Sequence, residues 1–175
     1  MIIIPPVTGF YTGMERNFAM RYINAVLWTV AADILSLFIA LTLAGSGNPL
    51  IRGISAVCTF GILVCVLGAL GAKTASADRK SNKGSASALG IGASAAALPL
   101  ASWLTLFFTA GSSFDFYRWY KLINGWGLQI CNFINSDASA NALTRGQIWL
   151  MLPVSAAPAL VLTASYLTNK AKIEN

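Results

Sequence analysis

Asp33 lies in the stretch WTVAADILSLFI, with aliphatic and aromatic side chains before and after it. A carboxylate at mid-bilayer costs roughly 2.5–3.5 kcal/mol on insertion scales, so this one has to hide among helices and find a partner there. Two chemistries fit. Kept protonated by loss of hydration, the acid ties helices together through hydrogen bonds. Loaded and unloaded in turn, it carries a proton or a cation. At 100° per residue Tyr22, Thr29, Asp33, Ser36 and Ala40 fall within about 60° of one another on a helix. The spacing therefore predicts one narrow polar stripe, with hydroxyls and no basic residue for company.

Other chemistry is sparse. The chain has no histidine, which removes the commonest general base and the commonest metal ligand. Paired carboxylates are also missing from the apolar runs, so hydrolysis and phosphoryl transfer lack their usual parts. No enzyme activity, metal centre or cofactor is expected. Cys58 and Cys65 are seven residues apart on one run, about 10 Å along a straight helix, against a usual Cα limit of about 7 Å for a disulfide. They read as packing residues. Cys58, Gly61, Cys65, Gly68 and Ala72 share one side of that run, and the small-xxx-small spacing of Gly61 and Cys65 predicts a close helix contact through Gly61, Cys65, Gly68 and Ala72. Pro99, Pro153 and Pro158 free the carbonyls of Ala95, Trp149 and Val154. Those carbonyls are open to a cation, to a hinge, or to satisfaction by Ser155 or a neighbouring helix.

These residues need helices to hold them. The 175 residues are 56% hydrophobic and only 10% charged, with mean hydropathy +0.65, whereas soluble domains carry about 25% charged residues. The apolar residues form four runs, about 21–44, 51–72, 89–111 and 147–168, each long enough to cross a hydrocarbon core of about 30 Å. The expectation is an all-α polytopic membrane protein, residues 1–175 forming a single integral domain with four transmembrane helices in a bundle. The first run is too long for a signal-peptide core and reads as an uncleaved anchor. The Pro5–Pro6 pair prevents a helix from starting at the amino-terminal end.

Residues 112–146 make an outer aromatic loop. Phe116, Trp119, Tyr120, Ile123, Ile130 and Phe133 recur at helical spacing, with Asp115, Arg118, Lys121, Gln129 and Asn132 largely between them. This pattern predicts an amphipathic helix in the outer headgroup layer, presenting Phe116, Trp119, Tyr120, Ile123 and Trp126 and interrupted by Gly125 and Gly127. Two roles remain open for it: an aromatic belt, or a lid over the bundle.

The net charge of +6 and the pI of about 9.5 do not indicate nucleic-acid binding, because the basic residues flank apolar runs. They are topology signals and anionic-lipid contacts. Eight Lys and Arg residues fall on the side of the two ends and the Lys73–Ser87 loop, and four on the other. The positive-inside rule then puts both termini in the cytoplasm, with the chain in a plasma or inner membrane. The expected partners are the lipid bilayer and other membrane helices, from a second copy or a partner subunit. The expected function is a non-catalytic membrane component, either a homo-oligomer or the integral subunit of a larger complex. The alternative is a small proton- or cation-coupled transporter or channel using Asp33.

Overall fold

A computed structural model describes residues 8–44, 48–81, 86–111, 114–137 and 143–174. The described residues are helical throughout, apart from short connections. In chain order the elements are α1 (Thr8–Ala44), α2 (Pro49–Ser81), α3 (Ala86–Thr109), α4 (Tyr117–Ile123), a single 3₁₀ turn (Gly125–Gly127), α5 (Leu128–Ile134) and α6 (Arg145–Glu174). Four helices contain apolar spans: Met20–Leu43, Pro49–Asp78, Ala88–Thr109 and Arg145–Lys172. The shortest has 22 residues, about 33 Å at 1.5 Å per residue, enough to cross a bilayer core. The chain is a multi-pass membrane protein built as an all-α bundle.

The spans pack in a ring, α1 against α2 and α3, and α6 against α2 and α3. Large apolar side chains such as Phe38, Val57, Phe108 and Leu160 point outward, while Ala25, Ala32, Ala40, Ala95 and Ala96 are buried. Lipid solvates Leu and Phe as well as a protein core does, so helices here associate through close backbone approach and interhelical hydrogen bonds.

Helix starts follow local signals. Asn48 Oδ1 accepts the Leu50 amide at 2.9 Å, with Pro49 in the first helical position, where its missing N–H costs nothing. The sequence TRGQ opens α6 as a reciprocal capping box. Thr144 Oγ1 accepts the Gln147 amide at 3.3 Å, and Gln147 Oε1 accepts that of Thr144 at 3.0 Å.

Three boundaries differ from the sequence reading. Helix α1 begins at Thr8, ahead of the expected span; Pro5 and Pro6 lie outside the described residues. Helix α2 continues to Ser81, so much of the basic segment after Lys73 is helix. Helix α6 runs from Arg145 to Glu174. Charged residues end a stay in hydrocarbon, but nothing in KTASADRKS breaks a helix, so the helices outrun their apolar windows.

The small-residue face of α2 is not where the spans meet most closely. A Cβ added to Gly61 or Gly68 would meet nothing within 4 Å, Cys58 and Cys65 are exposed, and Ala72 is half-buried. Gly71 instead faces α6, where an added Cβ would come 2.8 Å from Ser165 Cβ. Gly92 of α3 would likewise collide with Thr163 of α6. Contact between helices depends on which face the whole bundle turns inward, and periodicity within one helix does not reveal that. All three cysteines are free thiols.

Candidate functional site: a helical hairpin inserted into the bundle

Asp115 Oδ1 accepts the Tyr117 amide at 3.3 Å and starts α4. Seven residues later the helix stops at Asn124, whose φ and ψ of −121° and 47° are non-helical. The Gly125–Gly127 turn reverses the chain, and α5 carries it back. The result is a short hairpin, interrupted at the two expected glycines.

The hairpin does not lie flat. Its tip, residues 124–127, is completely buried and is tied to all four spans. From α1, Asp33 Oδ1 accepts the Gly125 amide at 2.5 Å. From α2, Thr59 Oγ1 donates to the Trp126 carbonyl at 3.0 Å. Towards α3, Asn124 Nδ2 donates to Ser102 Oγ at 3.0 Å. From α6, Ser155 Oγ reaches Asn124 Oδ1 at 3.4 Å, and the Trp126 indole N–H reaches the Val154 carbonyl at 3.4 Å. That carbonyl is the one Pro158 leaves without its helical donor.

The depth of the tip follows from its partners. Thr59 and Ser155 each sit ten residues inside the hairpin-side ends of α2 and α6, about 15 Å at 1.5 Å per residue. That is about half of a core of about 30 Å. Irregular backbone is tolerated at that depth only when buried in protein, with its amides and carbonyls answered. The hairpin meets both conditions.

Close packing demands the two glycines. A Cβ on Gly125 would lie 2.5 Å from Leu37 Cγ and 2.9 Å from Asp33 Oδ1, and one on Gly127 would collide with Val154. Higher up, the Tyr120 hydroxyl lies 2.9 Å from the Met151 carbonyl and 3.0 Å from Ser155 Oγ. The Tyr117 hydroxyl lies 2.9 Å from the Asn135 carbonyl and 3.1 Å from that of Cys131, closing α4 onto α5. Burial pushes the pKa of both phenols up, so they remain protonated donors. Burial also pushes the Cys131 thiol up to about 12, which leaves it an inert packing residue.

Compared with protein-family models, with curated proteins and with solved structures, the chain matches none of them. The reading of this site therefore rests on its geometry.

The polar stripe of α1 is assembled differently from expectation. Asp33 is half-buried and its partner is a backbone amide. Thr29 Oγ1 donates within its own helix to the Ala25 carbonyl at 2.9 Å, and Ser36 Oγ donates across to the Thr59 carbonyl at 3.2 Å. Tyr22 packs beside Gly90 of α3, well toward the opposite end of the helix. Neither Thr29 nor Ser36 answers the carboxylate. A cavity of about 210 Å³ opens beside it, lined mainly by apolar groups of α1, α3, α4 and the 3₁₀ turn, including Val30, Pro99, Trp119 and Trp126.

Of the residues expected at an outer headgroup surface, Tyr120 and Trp126 are fully buried, while Trp119 is 57% exposed and Phe116 and Ile123 are half-buried. Spacing alone could not separate them, because a short helix inserted between spans and one lying on a membrane share the same apolar period.

Sequence reasoning missed a second acid. Asp78, 2% exposed, pairs with Arg21 of α1 and accepts the Tyr166 hydroxyl of α6 at 2.8 Å. It fastens three spans at the end opposite the hairpin. Its setting in KTASADRKS resembles a solvated loop, so the only available signal was that Arg21 and Asp78 lie at the same-side ends of two successive apolar runs.

Proposed function

We propose that the chain is a non-catalytic integral membrane component whose intramembrane polar residues hold a helical hairpin in place. One observation carries this reading: Asp33, Thr59, Ser102, Asn124 and Ser155 each make a hydrogen bond to or within the hairpin tip. A reactive or transporting site needs polar groups converging on empty space, and these converge on the protein itself. The exposed small-residue face of α2 around Cys58, Gly61 and Cys65 supports assembly with a second copy or a partner subunit, since such faces let another backbone approach. Both termini are expected in the cytoplasm of a cell bearing this protein in its plasma or inner membrane. Light scattering of the detergent-solubilised protein, with and without Gly61→Leu, tests the reading. Assembly should be lost in the variant while the bundle stays folded. An unchanged monomer in both would remove the oligomeric part.

A second reading, a small proton- or cation-coupled transporter, is favoured by the cavity of about 210 Å³ that Asp33 lines. Asp33→Asn keeps the acceptor for Gly125 and removes the titrating group. Coupled flux in proteoliposomes that disappears in a folded Asp33→Asn protein would favour transport over a structural role.

A further inference from the structure

At the end opposite the hairpin, a groove of about 220 Å³ lies between α1 and α2. Arg21, Asn24 and Trp28 contribute one wall, and Leu70, Lys73 and Thr74 the other. The spacing i, i+3, i+7 on α1 and i, i+3, i+4 on α2 puts each set on one helix face. Because the helices run antiparallel, the groove is graded along the membrane normal. On α1, Arg21 stands towards the outer end with Asn24 about 5 Å and Trp28 about 10 Å deeper; on α2, Thr74, Lys73 and Leu70 descend in that order within about 6 Å.

We propose that this groove holds the phosphate head of an anionic glycerophospholipid, with the start of an acyl chain lying against Trp28 and Leu70. The cations and hydrogen-bond donors lie outward of the indole and the leucine, as a phosphate head lies outward of its acyl chain. Charge selects the class. Lys73 is exposed and makes no ion pair among the described residues. Arg21 gives one nitrogen to Asp78 and keeps further N–H donors. Asp78 is itself buried and turned towards Arg21 and Tyr166, so among the described residues no carboxylate lines the groove. A zwitterionic head would bring an ammonium group up to two cations. An anionic head would not. Indoles favour this depth because one edge is polar and the rest is apolar.

The site is independent of Asp33 and of the hairpin, so its fate and that of the proposed function are read by different measurements. Delipidated protein in detergent is titrated with dioleoylphosphatidylglycerol or dioleoylphosphatidylcholine, and bound lipid is counted by native mass spectrometry. Phosphatidylglycerol should bind first and more tightly. Lys73→Gln should weaken it about fivefold, the worth of one basic contact at a membrane surface, and Lys73→Arg should retain it. Lys73 is exposed, so neither change threatens folding. Lys172→Gln removes the same charge on the same side of the membrane and should leave binding unchanged. The proposal is overturned if phosphatidylcholine binds equally well, or if Lys172→Gln matches Lys73→Gln. Displacement of the lipid by millimolar inorganic phosphate would also overturn it, making free phosphate the ligand.

Discussion

Two acids are folded into this bundle, and the protein answers them in opposite ways. Asp78 meets a guanidinium and a phenol near one membrane face, where charge is cheap. Asp33 meets one backbone amide about half way across, where charge is dear and cations are absent among the described residues. The first joins three spans directly, as a surface-proximal ion pair does. The second joins a span to a non-spanning hairpin, and through that hairpin's tip to the other three spans. The lesson concerns depth: near the headgroups a membrane protein can use charge to fasten helices, whereas at the centre it uses amides, hydroxyls and close packing.

The largest blow to the hairpin side should come from Trp126→Ala. It empties a fully buried site and removes the partner of the Val154 carbonyl, at about 3–5 kcal/mol for a large aromatic in a core. Thermal unfolding in detergent should show it as a clear drop in midpoint. Asp78→Ala should cost about 2–3 kcal/mol, below the usual figure of about 3–5 for a broken buried pair, because the Arg21 side chain is 22% exposed and can reach water. If Asp78→Ala proved the milder by far, the termini-side clamp would be ornamental.

Asp33 gives a finer discrimination. Asp33→Ala leaves the Gly125 amide buried and unanswered, at about 1–3 kcal/mol. Asp33→Asn preserves an acceptor and should cost less than about 1 kcal/mol, in keeping with the modest worth of intramembrane hydrogen bonds. Equal losses in the two variants would mean that charge, and not the acceptor, holds the tip.

Alkaline pH probes the same region without substitution. The Tyr117 and Tyr120 phenols have folded pKa values above the unfolded value of about 10. Their contribution to stability is complete below that pH and is lost as the pH rises through the folded values. Phenolate absorbance should therefore lag in the folded protein and appear together with loosening of the hairpin.

The four spans and the all-α class were legible in the sequence, because hydrocarbon imposes long apolar runs, and the same runs make a lone acid such as Asp33 conspicuous. The glycine interruption at Gly125 and Gly127 was legible too. What the hairpin does was not. Its apolar period suits a membrane surface as well as a bundle interior, and the partners of Asn124 lie on α3 and α6, far along the chain. Asp78 was hidden for the opposite reason, since a charged residue in a polar stretch raises no question until its neighbours in space are known.

The central claim is that the tip of the 117–134 hairpin sits at mid-depth between the spans. It is tested most directly by oxidative cross-linking of Asn124→Cys with Ser102→Cys, in a chain whose native cysteines are replaced by alanine. Their polar atoms stand 3.0 Å apart here, so a disulfide should form rapidly in native membranes and be seen by mass spectrometry of the linked peptides. A hairpin lying in the headgroup layer would keep the two positions about 10 Å or more apart, since Ser102 is seven residues inside the end of α3, and no cross-link would appear.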